Sequence, residues 1–234
     1  MIRELARQTR DALVRARQRR VVRPFHRLFY ESGTRTWSNT HWLGVPAQKC
    51  PFDLWVYQEL LHELRPAVIV ECGTAEGGSA LFLASICDLL GEGEIVTVDI
   101  RETPGRPEHD RVTYLTGSST APEIVRAVKE RIAGRSPVLV LLDSNHERDH
   151  VLTEMRLYGP LVTPGSYLIV EDSNINNSPV LPDFGPGPAE AIETFLAETD
   201  DFTVDASREK YFLTFNPRGY LRKTGAQTYT RPMP

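Results

Sequence analysis

The chain has 234 residues, of which 41% are hydrophobic and 25% are charged, and its formal net charge is −4. This length and composition allow one full-sized globular domain with a buried core and exclude a disordered or fibrous chain. No apolar segment approaches the roughly 18 residues that a membrane-spanning helix requires, and there is no apolar leader with a cleavage site. The three cysteines form no disulfide framework. We therefore expect a cytoplasmic protein.

The charge is unevenly distributed along the chain. Residues 1–28 contain nine arginines against Glu4 and Asp11, a local balance of +7 that leaves −11 for the remainder. Apolar residues recur among the arginines as in an amphipathic helix, so we predict a basic helical extension over residues 1–35. This helix could contact a polyanion or an anionic lipid surface, or it could pack on its own domain or a partner subunit. We favour packing, because an acidic remainder opposes polyanions, and we expect no nucleic acid partner and no membrane span.

Beyond this extension, predicted helices alternate with apolar strands. The predicted helices are 52–64, 79–90, 122–133, 150–162 and 187–198. The predicted strands are 66–71, 94–100, 111–117, 136–143 and 166–172, followed by an antiparallel edge pair at 202–207 and 211–217. Continuous runs of Val, Ile and Leu between helices predict a doubly wound α/β fold with a mostly parallel sheet covered on both faces.

Acidic residues end most of the central predicted strands. They are Glu71, Asp99, Asp143, Glu171 and Asp172. In sheets of this type, ligands bind beyond the carboxyl ends of the strands. The accumulation of acids at this edge therefore indicates a functional site, and the acids divide into two groups.

The first group surrounds the glycine-rich loop V-E-C-G-T-A-E-G-G-S, which contains Gly73, Thr74, Gly77 and Gly78. Glycines allow a sharp turn and a close approach of the backbone to a ligand at a helix N-terminus. Asp99 can accept hydrogen bonds from both hydroxyls of a ribose, and Ser118 and Ser119 are predicted to contact an adenine. The glycine spacing is not that of a dinucleotide site, and Glu71 would repel a pyrophosphate but attract a cation. We therefore predict S-adenosylmethionine rather than NAD.

The second group consists of Asp143, Glu171 and Asp172. Neighbouring strands lie about 4.8 Å apart, so carboxylates that end two of them can crowd together. Two like charges about 4 Å apart repel by roughly 4 kcal/mol near a protein surface, which favours a bound cation. Oxygen ligands favour Mg²⁺, with Ca²⁺ or Mn²⁺ as alternatives, over zinc. Because successive strand residues point to opposite faces, Glu171 and Asp172 can share an ion only if the strand ends there.

Residues 146–150, H-E-R-D-H, match the H-E-x-x-H motif of zinc proteases. A zinc site of that type needs both histidines on one face of a helix. Here a predicted strand ends three residues before His146, which puts this histidine in a loop or in the first helical turn. We interpret His146 as a general base beside the metal and His150 as a structural residue, because a protease would leave Asp143 and the glycine loop without a role.

Several segments together resemble a known family. They are W-L-G-V-P-A-Q-K-C-P-F-D-L-W (42–55), E-C-G-T-A-E-G-G-S-A (71–80), D-S-N-H (143–146), V-E-D (170–172) and F-N-P-R-G-Y-L (215–221). The chain resembles the cephalosporin hydroxylase family of S-adenosylmethionine-dependent O-methyltransferases, which includes rhamnosyl O-methyltransferases. The resemblance begins near residue 35 and implies a methyltransferase domain over 36–234. It also implies the seven-stranded, Rossmann-like sheet of class I methyltransferases and a homo-oligomer.

The resemblance also implies roles for individual residues. It implies cofactor contacts from Glu71, Gly73, Gly77, Ser79 and Asp99, a metal at Asp143, Glu171 and Asp172, and His146 as base. We expect metal-assisted methylation of a hydroxyl group on a small molecule, a sugar or a glycosylated metabolite, with Asp143 and His146 as catalytic residues. The alternatives are an NAD(P)-linked dehydrogenase or epimerase and a non-catalytic scaffold that binds the adenosyl cofactor. Segment 174–188, with Leu181 and Phe184, is predicted to be a lid or a substrate wall.

Overall fold

The computed structural model describes residues 20–225 of the chain. The described helices are α1 (residues 20–31), α2 (Pro51–Leu64), α3 (Gly78–Leu90), α4 (Pro122–Ile132), α5 (Arg148–Tyr158) and α6 (Pro188–Glu198). A small hairpin consists of β1 (His41–Trp42) and β2 (Val45–Pro46). The main sheet consists of β3 (Val68–Cys72), β4 (Glu94–Asp99), β5 (Val112–Thr116), β6 (Val138–Leu142), β7 (Tyr167–Val170), β8 (Phe202–Val204) and β9 (Tyr220–Lys223).

The seven strands of the main sheet follow the order β5-β4-β3-β6-β7-β9-β8. The strands β3 to β7 pair in parallel, and β9 pairs antiparallel with both β7 and β8. From β3 the chain winds outward through β4 to β5 and then returns to place β6 on the other side of β3. The order therefore reverses between β3 and β6, and this switch point is where such sheets form a ligand-binding crevice.

Two apolar layers hold the helices on the two faces of the sheet. Alternate residues of β3 point to opposite sides, so Val68 and Val70 pack with α4, α5 and α6, whereas Ile69 packs with α2 and α3. All five residues of β3 are buried, as are all five residues of β6. Burying an aliphatic side chain of this size contributes about 1.5–3 kcal/mol, so the two central strands fix the position of the loops that follow them.

Local signals explain where the helices begin and end. Proline occupies the first turn of α2, α4 and α6, where its missing N–H costs no helical hydrogen bond. The Glu190 carboxylate accepts a hydrogen bond from the Gly187 amide at 2.7 Å at the start of α6. Helix α2 ends at Arg65 in a left-handed conformation, and Pro66 follows it. Among the described residues, no helix has the length and apolarity needed to cross a membrane.

The structure confirms the doubly wound α/β fold and an antiparallel edge pair, but the predicted second edge strand at 211–217 is wrong. The strand that pairs with β8 is β9, Tyr220–Lys223. Segment 211–217 is irregular because side chains bind its backbone: Asp53 accepts a hydrogen bond from the Phe215 amide at 2.8 Å. Leu213 and Phe215 fill a separate small core instead. Helix 150–162 also differs, since α5 starts at Arg148 and a 3₁₀ turn replaces its predicted end.

The described part of the basic extension packs on the domain. His26 on α1 is 5% exposed, and its ring stacks on Phe215 with centroids 5.7 Å apart. The Asn174 amide nitrogen donates to His26 Nε2 at 2.9 Å, and Arg27 donates to the Pro179 carbonyl at 2.9 Å. Helix α1 is thus fixed against the loop after β7. The prediction for residues 1–19 lies outside the described residues, and the domain boundary at 35 stays a prediction.

Candidate functional site

A cavity of about 690 Å³ opens at the switch point between β3 and β6. Nine of the predicted site residues line it: Gly73, Thr74, Ser79, Asp99, Ser118, Ser119, Asp143, His146 and Asp172. Four others, Glu71, Gly77, Gly78 and Glu171, are not among its lining residues. Part of the glycine loop and three of the five acids, Asp99, Asp143 and Asp172, therefore meet around one cavity.

Two glycines of the loop are required by close approaches of the backbone. Gly73 has φ +102°, and a Cβ atom added there would lie 1.9 Å from the Asp143 carbonyl oxygen. A Cβ atom at Gly78 would lie 2.2 Å from the Pro46 carbonyl oxygen in β2. Gly73 thus lets the β3 loop lie against the end of β6, and Gly78 lets the hairpin cover the start of α3. Contacts within the protein therefore require glycine at both positions, whether or not a ligand binds there.

The Asp99 carboxylate holds the glycine loop in place. Its Oδ2 accepts hydrogen bonds from the amides of Thr74 and Ala75 at 3.1 and 2.8 Å, and its Oδ1 accepts from the Arg101 amide at 2.9 Å. Because Asp99 also lines the cavity, it can order the loop and still face a ligand. Its predicted contact with a ribose stays a prediction.

Glu71 lies beneath the cavity rather than on its surface. Its side chain is fully buried, and its Oε2 accepts a hydrogen bond from Thr97 Oγ1 at 2.6 Å, which in turn lies 2.6 Å from Thr74 Oγ1. Burial raises the pKa of Glu71, and the nearby charge of Lys49 opposes that rise. Glu71 therefore supports the glycine loop from below, and its predicted contact with the cofactor stays a prediction.

Three carboxylates lie where β6 and β7 end, and a buried lysine lies among them. Lys49 is 4% exposed, and its Nζ forms ion pairs with Asp143 and with Glu171, the latter at 2.8 Å. Burial alone would raise the pKa of Asp143, but the charge of Lys49 and the hydrogen bond from His146 lower it. Burial raises the pKa of Glu171 well above its usual value, because Lys49 offsets only part of the penalty.

Asp172, the third carboxylate, follows β7 and lies in the same cluster. β7 ends at Val170, and Asp172 has φ +52°, a left-handed conformation that breaks the alternation of a strand. The strand thus ends before Glu171 and Asp172, which is the condition under which both carboxylates can face one ion. Burial raises the pKa of Asp172 to about 6, against the opposing charge of His146. Burial and the charge of Asp172 also raise the pKa of Tyr30 to about 12.

The two histidines of the H-E-R-D-H segment have different partners. His146 precedes α5, and its Nε2 lies 3.3 Å from Asp143 Oδ1 and 3.1 Å from Asp172 Oδ2. His150, within α5, lies 3.2 Å from Ser144 Oγ and 3.4 Å from the buried Glu154 carboxylate. Since the two rings do not converge, the segment is not a zinc-protease helix.

The electrostatics of His146 depend on the acids around it. Burial opposes a charge on the ring, but the hydrogen bond to Asp143 and the charges of Asp172 and Asp143 outweigh burial and raise the pKa of His146 to about 9. The ring is therefore protonated at neutral pH when no other cation balances these acids. A cation bound to the carboxylates would compete with this proton.

The residues at this end of the cavity fit a divalent cation. Asp143, His146 and Asp172 offer ligand atoms that all lie within 4.8 Å of one another. The Oε1 atom of Glu171 is buried without a hydrogen-bond partner among the described residues. Lys49 and the protonated His146 balance two of the three carboxylates, and a buried unpaired carboxylate oxygen is costly unless a ligand meets it.

The sequence-based prediction of the site lacks Lys49 and the two aromatic residues of the cavity, Tyr30 and Trp37. Two features of the sequence point to Lys49: it lies within a segment that carries the family resemblance, and the clustered acids require a positive charge nearby. Its partner Asp143 lies 94 residues away, however, and no local pattern shows that these residues meet. Tyr30 and Trp37 line the cavity from the chain that precedes the main sheet, next to or within the segment that we predicted to be an extension.

Comparisons with known proteins agree with this geometry. The family model described as rhamnosyl O-methyltransferase/CmcI matches residues 34–224. This chain belongs to that family. Rhamnosyl O-methyltransferases from Mycobacterium tuberculosis (strain H37Rv) and Mycobacterium leprae are 41% and 40% identical to it over 209 and 210 residues. These alignments cover 86% of this chain and 84% and 90% of the two relatives.

Solved structures of the family and its neighbours share the fold. CmcI in complex with Mg and SAM has a TM-score of 0.63 and is 22% identical, with 80% of this chain and 78% of that chain covered. The methyltransferase MycE, in complex with Mg, SAH and mycinamycin VI, has a TM-score of 0.51 and is 22% identical, with 74% and 51% covered. At these identities the likeness establishes the fold.

The family confirms the main predictions from the sequence. The predicted resemblance is confirmed, and so are the class I methyltransferase fold and the enzyme class, an S-adenosylmethionine-dependent O-methyltransferase. The alternative of an NAD(P)-linked oxidoreductase or epimerase receives no support from family membership. The roles of individual site residues, the homo-oligomer and the cytoplasmic location stay predictions.

Proposed function

We propose that this O-methyltransferase transfers a methyl group from S-adenosylmethionine to a hydroxyl group of a sugar or glycosylated small molecule, with the help of a divalent cation. One observation carries the proposal: the carboxylates that end β6 and β7 surround an imidazole and share one cavity with the glycine loop. A methyl donor and a hydroxyl acceptor can therefore lie side by side, and positioning two bound reactants is a large part of catalysis.

The donor side of the cavity is the glycine loop with Asp99. Thr74 and Ser79 line it beside Gly73, and Ser118 and Ser119 line it where β5 ends. We assign the ribose to Asp99 and the adenine to the serines. We assign the amino-acid part of the donor to the loop above Glu71, on the side that faces the carboxylate cluster.

The cation side is the cluster around Asp143. We assign the cation, Mg²⁺ in the first place, to Asp143, Glu171 and Asp172, because carboxylate oxygens are the ligands it prefers. When bound, a divalent cation lowers the pKa of a hydroxyl group in contact with it. His146 lies near enough to Asp143 and Asp172 to be a ligand in place of Glu171. We assign it the role of base, because its side chain is 31% exposed towards the cavity.

The proposed reaction balances with these residues. An oxygen–carbon bond forms on the acceptor while the carbon–sulfur bond of the donor breaks, and the bonding electron pair stays on sulfur. His146 accepts the hydroxyl proton, which requires that its own proton has left before the reaction. A cation bound to Asp143 and Asp172 would offset the negative charges that stabilise the proton on His146. His146 therefore acts as a base only when the cation is bound.

The names of the relatives support a sugar acceptor. The mycobacterial relatives are called rhamnosyl O-methyltransferases, and the MycE complex contains mycinamycin VI. A rhamnoside with free hydroxyl groups, such as methyl α-L-rhamnopyranoside, is therefore the first acceptor to test.

The test combines transfer with binding. Wild-type protein, S-adenosylmethionine with a deuterated methyl group, Mg²⁺ and the rhamnoside should give a methylated product by mass spectrometry, and EDTA should abolish it. Asp143→Ala should remove transfer and Mg²⁺ binding but keep S-adenosylmethionine binding in calorimetry. Asp149→Ala is the matched control, because Asp149 lies nearby with a side chain that is 82% exposed.

The outcomes separate the parts of the proposal. Full activity in EDTA would refute the role of the cation. Loss of Mg²⁺ binding in His146→Ala as well as in Asp143→Ala would make His146 a ligand rather than the base. Tight binding of S-adenosylmethionine without transfer to any hydroxyl acceptor would favour the non-catalytic scaffold.

A further inference from the structure

The cavity has an aromatic side that the donor loop and the carboxylates do not explain. Tyr30 and Trp37 line it together with Asp172, and their rings stack with centroids 5.3 Å apart and planes 24° apart. Both residues precede the main sheet, Tyr30 at the end of α1 and Trp37 in a 3₁₀ turn that follows it. We call this pair the aromatic wall.

A hydrogen bond and ring contacts with neighbouring residues hold the aromatic wall in place. The Trp37 indole nitrogen donates to the Tyr30 carbonyl at 3.0 Å, and Phe215 meets both rings edge-on at 5.4 and 6.0 Å. A Cβ atom at Gly33 would lie 3.1 Å from the indole nitrogen, so this glycine lets the chain lie close to the ring. Because the indole N–H is already bonded, Trp37 offers the cavity only apolar ring surface.

Segment 174–188 does not supply this surface. Of the described residues that line the cavity, none belongs to that segment. Its apolar residues Leu181 and Phe184 are each 43% exposed. The segment instead binds α1, where Asn174 donates to the buried His26 and the Pro179 carbonyl accepts from Arg27. The segment thus contacts α1 but does not line this cavity, and its predicted role as a lid or substrate wall stays a prediction.

The chemistry of the cavity indicates what the aromatic wall contacts. A pyranose carries hydroxyl groups around its edge and C–H groups on its faces, so it needs polar partners on one side and an apolar surface on another. Asp143, His146 and Asp172 offer the polar side, and the aromatic wall offers a rigid apolar surface next to Asp172. Carboxylates and a cation alone would accept any diol, so they cannot select a sugar.

We propose that Tyr30 and Trp37 form the acceptor subsite, with the C–H face of the sugar ring packed on the aromatic wall and its reacting hydroxyl group directed towards His146. This inference rests on the proposed function and deepens it. Acceptor specificity then resides in the segment around residues 30–37, outside the methyltransferase sheet.

The experiment measures acceptor binding apart from methyl transfer. Binding of methyl α-L-rhamnopyranoside is titrated by saturation-transfer NMR in the presence of S-adenosylhomocysteine and Mg²⁺, so no reaction takes place. Trp37→Leu should weaken this binding about tenfold, the size expected for loss of one aromatic contact, while the Kd of S-adenosylmethionine stays unchanged. Trp37→Phe should restore most of the affinity. In turnover assays KM for the acceptor should rise more than kcat falls.

Controls make the assignment specific. Trp55→Leu is the same substitution on the surface of α2, at a side chain that is 58% exposed, and it should leave acceptor binding unchanged. Thermal unfolding of each variant shows whether Trp37→Leu is folded. If it is not, Tyr30→Leu carries the test and should weaken rhamnoside binding without a change in donor binding, whereas Trp37→Phe should bind the rhamnoside nearly as tightly as wild-type protein.

The outcomes distinguish this inference from the proposed function. Unchanged rhamnoside binding in folded Trp37→Leu and Tyr30→Leu would overturn the subsite, and so would a wild-type protein that does not bind the rhamnoside. Loss of binding in Phe184→Leu but not in Trp37→Leu would place the acceptor on segment 174–188. Wild-type protein that binds the rhamnoside through the aromatic wall but never methylates it would refute the proposed function and support the subsite.

Discussion

Replacing Lys49 by methionine tests whether this lysine balances the charge of the carboxylate cluster. The substitution keeps most of the side-chain volume and removes the ammonium group, so Asp143 keeps only His146 as a cationic partner and Glu171 loses its ion pair. For the ionised pair, the attraction between Lys49 and Glu171 at 2.8 Å is about 6 kcal/mol at an effective dielectric constant near 20, and this is an upper bound because burial raises the pKa of Glu171. Desolvation of the buried ammonium offsets part of this, and removing one partner of a buried ion pair costs about 3–5 kcal/mol.

The expected change is large and depends on Mg²⁺. For a domain of this size, a loss of about 3–5 kcal/mol lowers Tm by roughly 6–20 °C. If the cation and Lys49 neutralise the same carboxylates, Mg²⁺ should stabilise Lys49→Met more than it stabilises wild-type protein. Saturation to a hundred times Kd contributes about 2.7 kcal/mol, which is half or more of the loss.

Thermal and urea unfolding in EDTA and in Mg²⁺ provide the measurement. Lys210→Met is the matched control, because Lys210 pairs with Glu59 at 2.5 Å on the surface with a side chain that is 45% exposed. It should change neither Tm nor the response to Mg²⁺ measurably, since surface ion pairs contribute little. An equal gain from Mg²⁺ in Lys49→Met and wild-type protein would refute the argument that lysine and cation balance the same charges.

Two further predictions concern the support of the site. Gly73→Ala should destabilise the protein in urea unfolding by about 1–3 kcal/mol more than Gly105→Ala, because both positions have positive φ but only Gly73 has a neighbouring carbonyl in the way. Equal losses would contradict the close approach. Burial lowers the pKa of His26 to about 4, so between pH 6.5 and 4 the unfolded chain binds a proton that the folded protein does not. Stability should therefore fall by up to about 3 kcal/mol as the pH drops through this range, and His26→Gln should flatten that slope while His62→Gln, at an exposed position, keeps it.

The sequence predicts those parts of the site that depend on local signals. β3 and β6 are apolar runs too short for helices, and each leads into a residue that the cavity exposes, Gly73 and Asp143. In a parallel sheet such strand ends must share one edge, so the pattern alone brings them together. The end of β7 at Val170 is also anticipated by the sequence, because Glu171 and Asp172 can face one ion only if the strand ends before them.

The remaining parts depend on contacts between distant segments. Segment 211–217 has the apolar residues of a strand, but Asp53 on α2 binds its backbone, and that contact spans 162 residues. Lys49 reaches the carboxylates, and the aromatic wall reaches the cavity, only because the chain before α2 packs at the carboxyl ends of the strands. Neither periodicity nor composition carries information about such a placement, since these residues lie in short irregular segments.

This division explains how the site is assembled. The sheet supplies the glycine loop and the carboxylates, whereas the chain before α2 supplies Lys49 and the aromatic wall. α1 joins the two parts, since His26 binds Asn174 two residues after Asp172, and Tyr30 lies one helical turn after His26. A change in α1 therefore acts on the acceptor side and on the carboxylate side at once. Relatives that keep the sheet and Lys49 but differ at the positions of Tyr30 and Trp37 should keep the donor and the cation and change the acceptor.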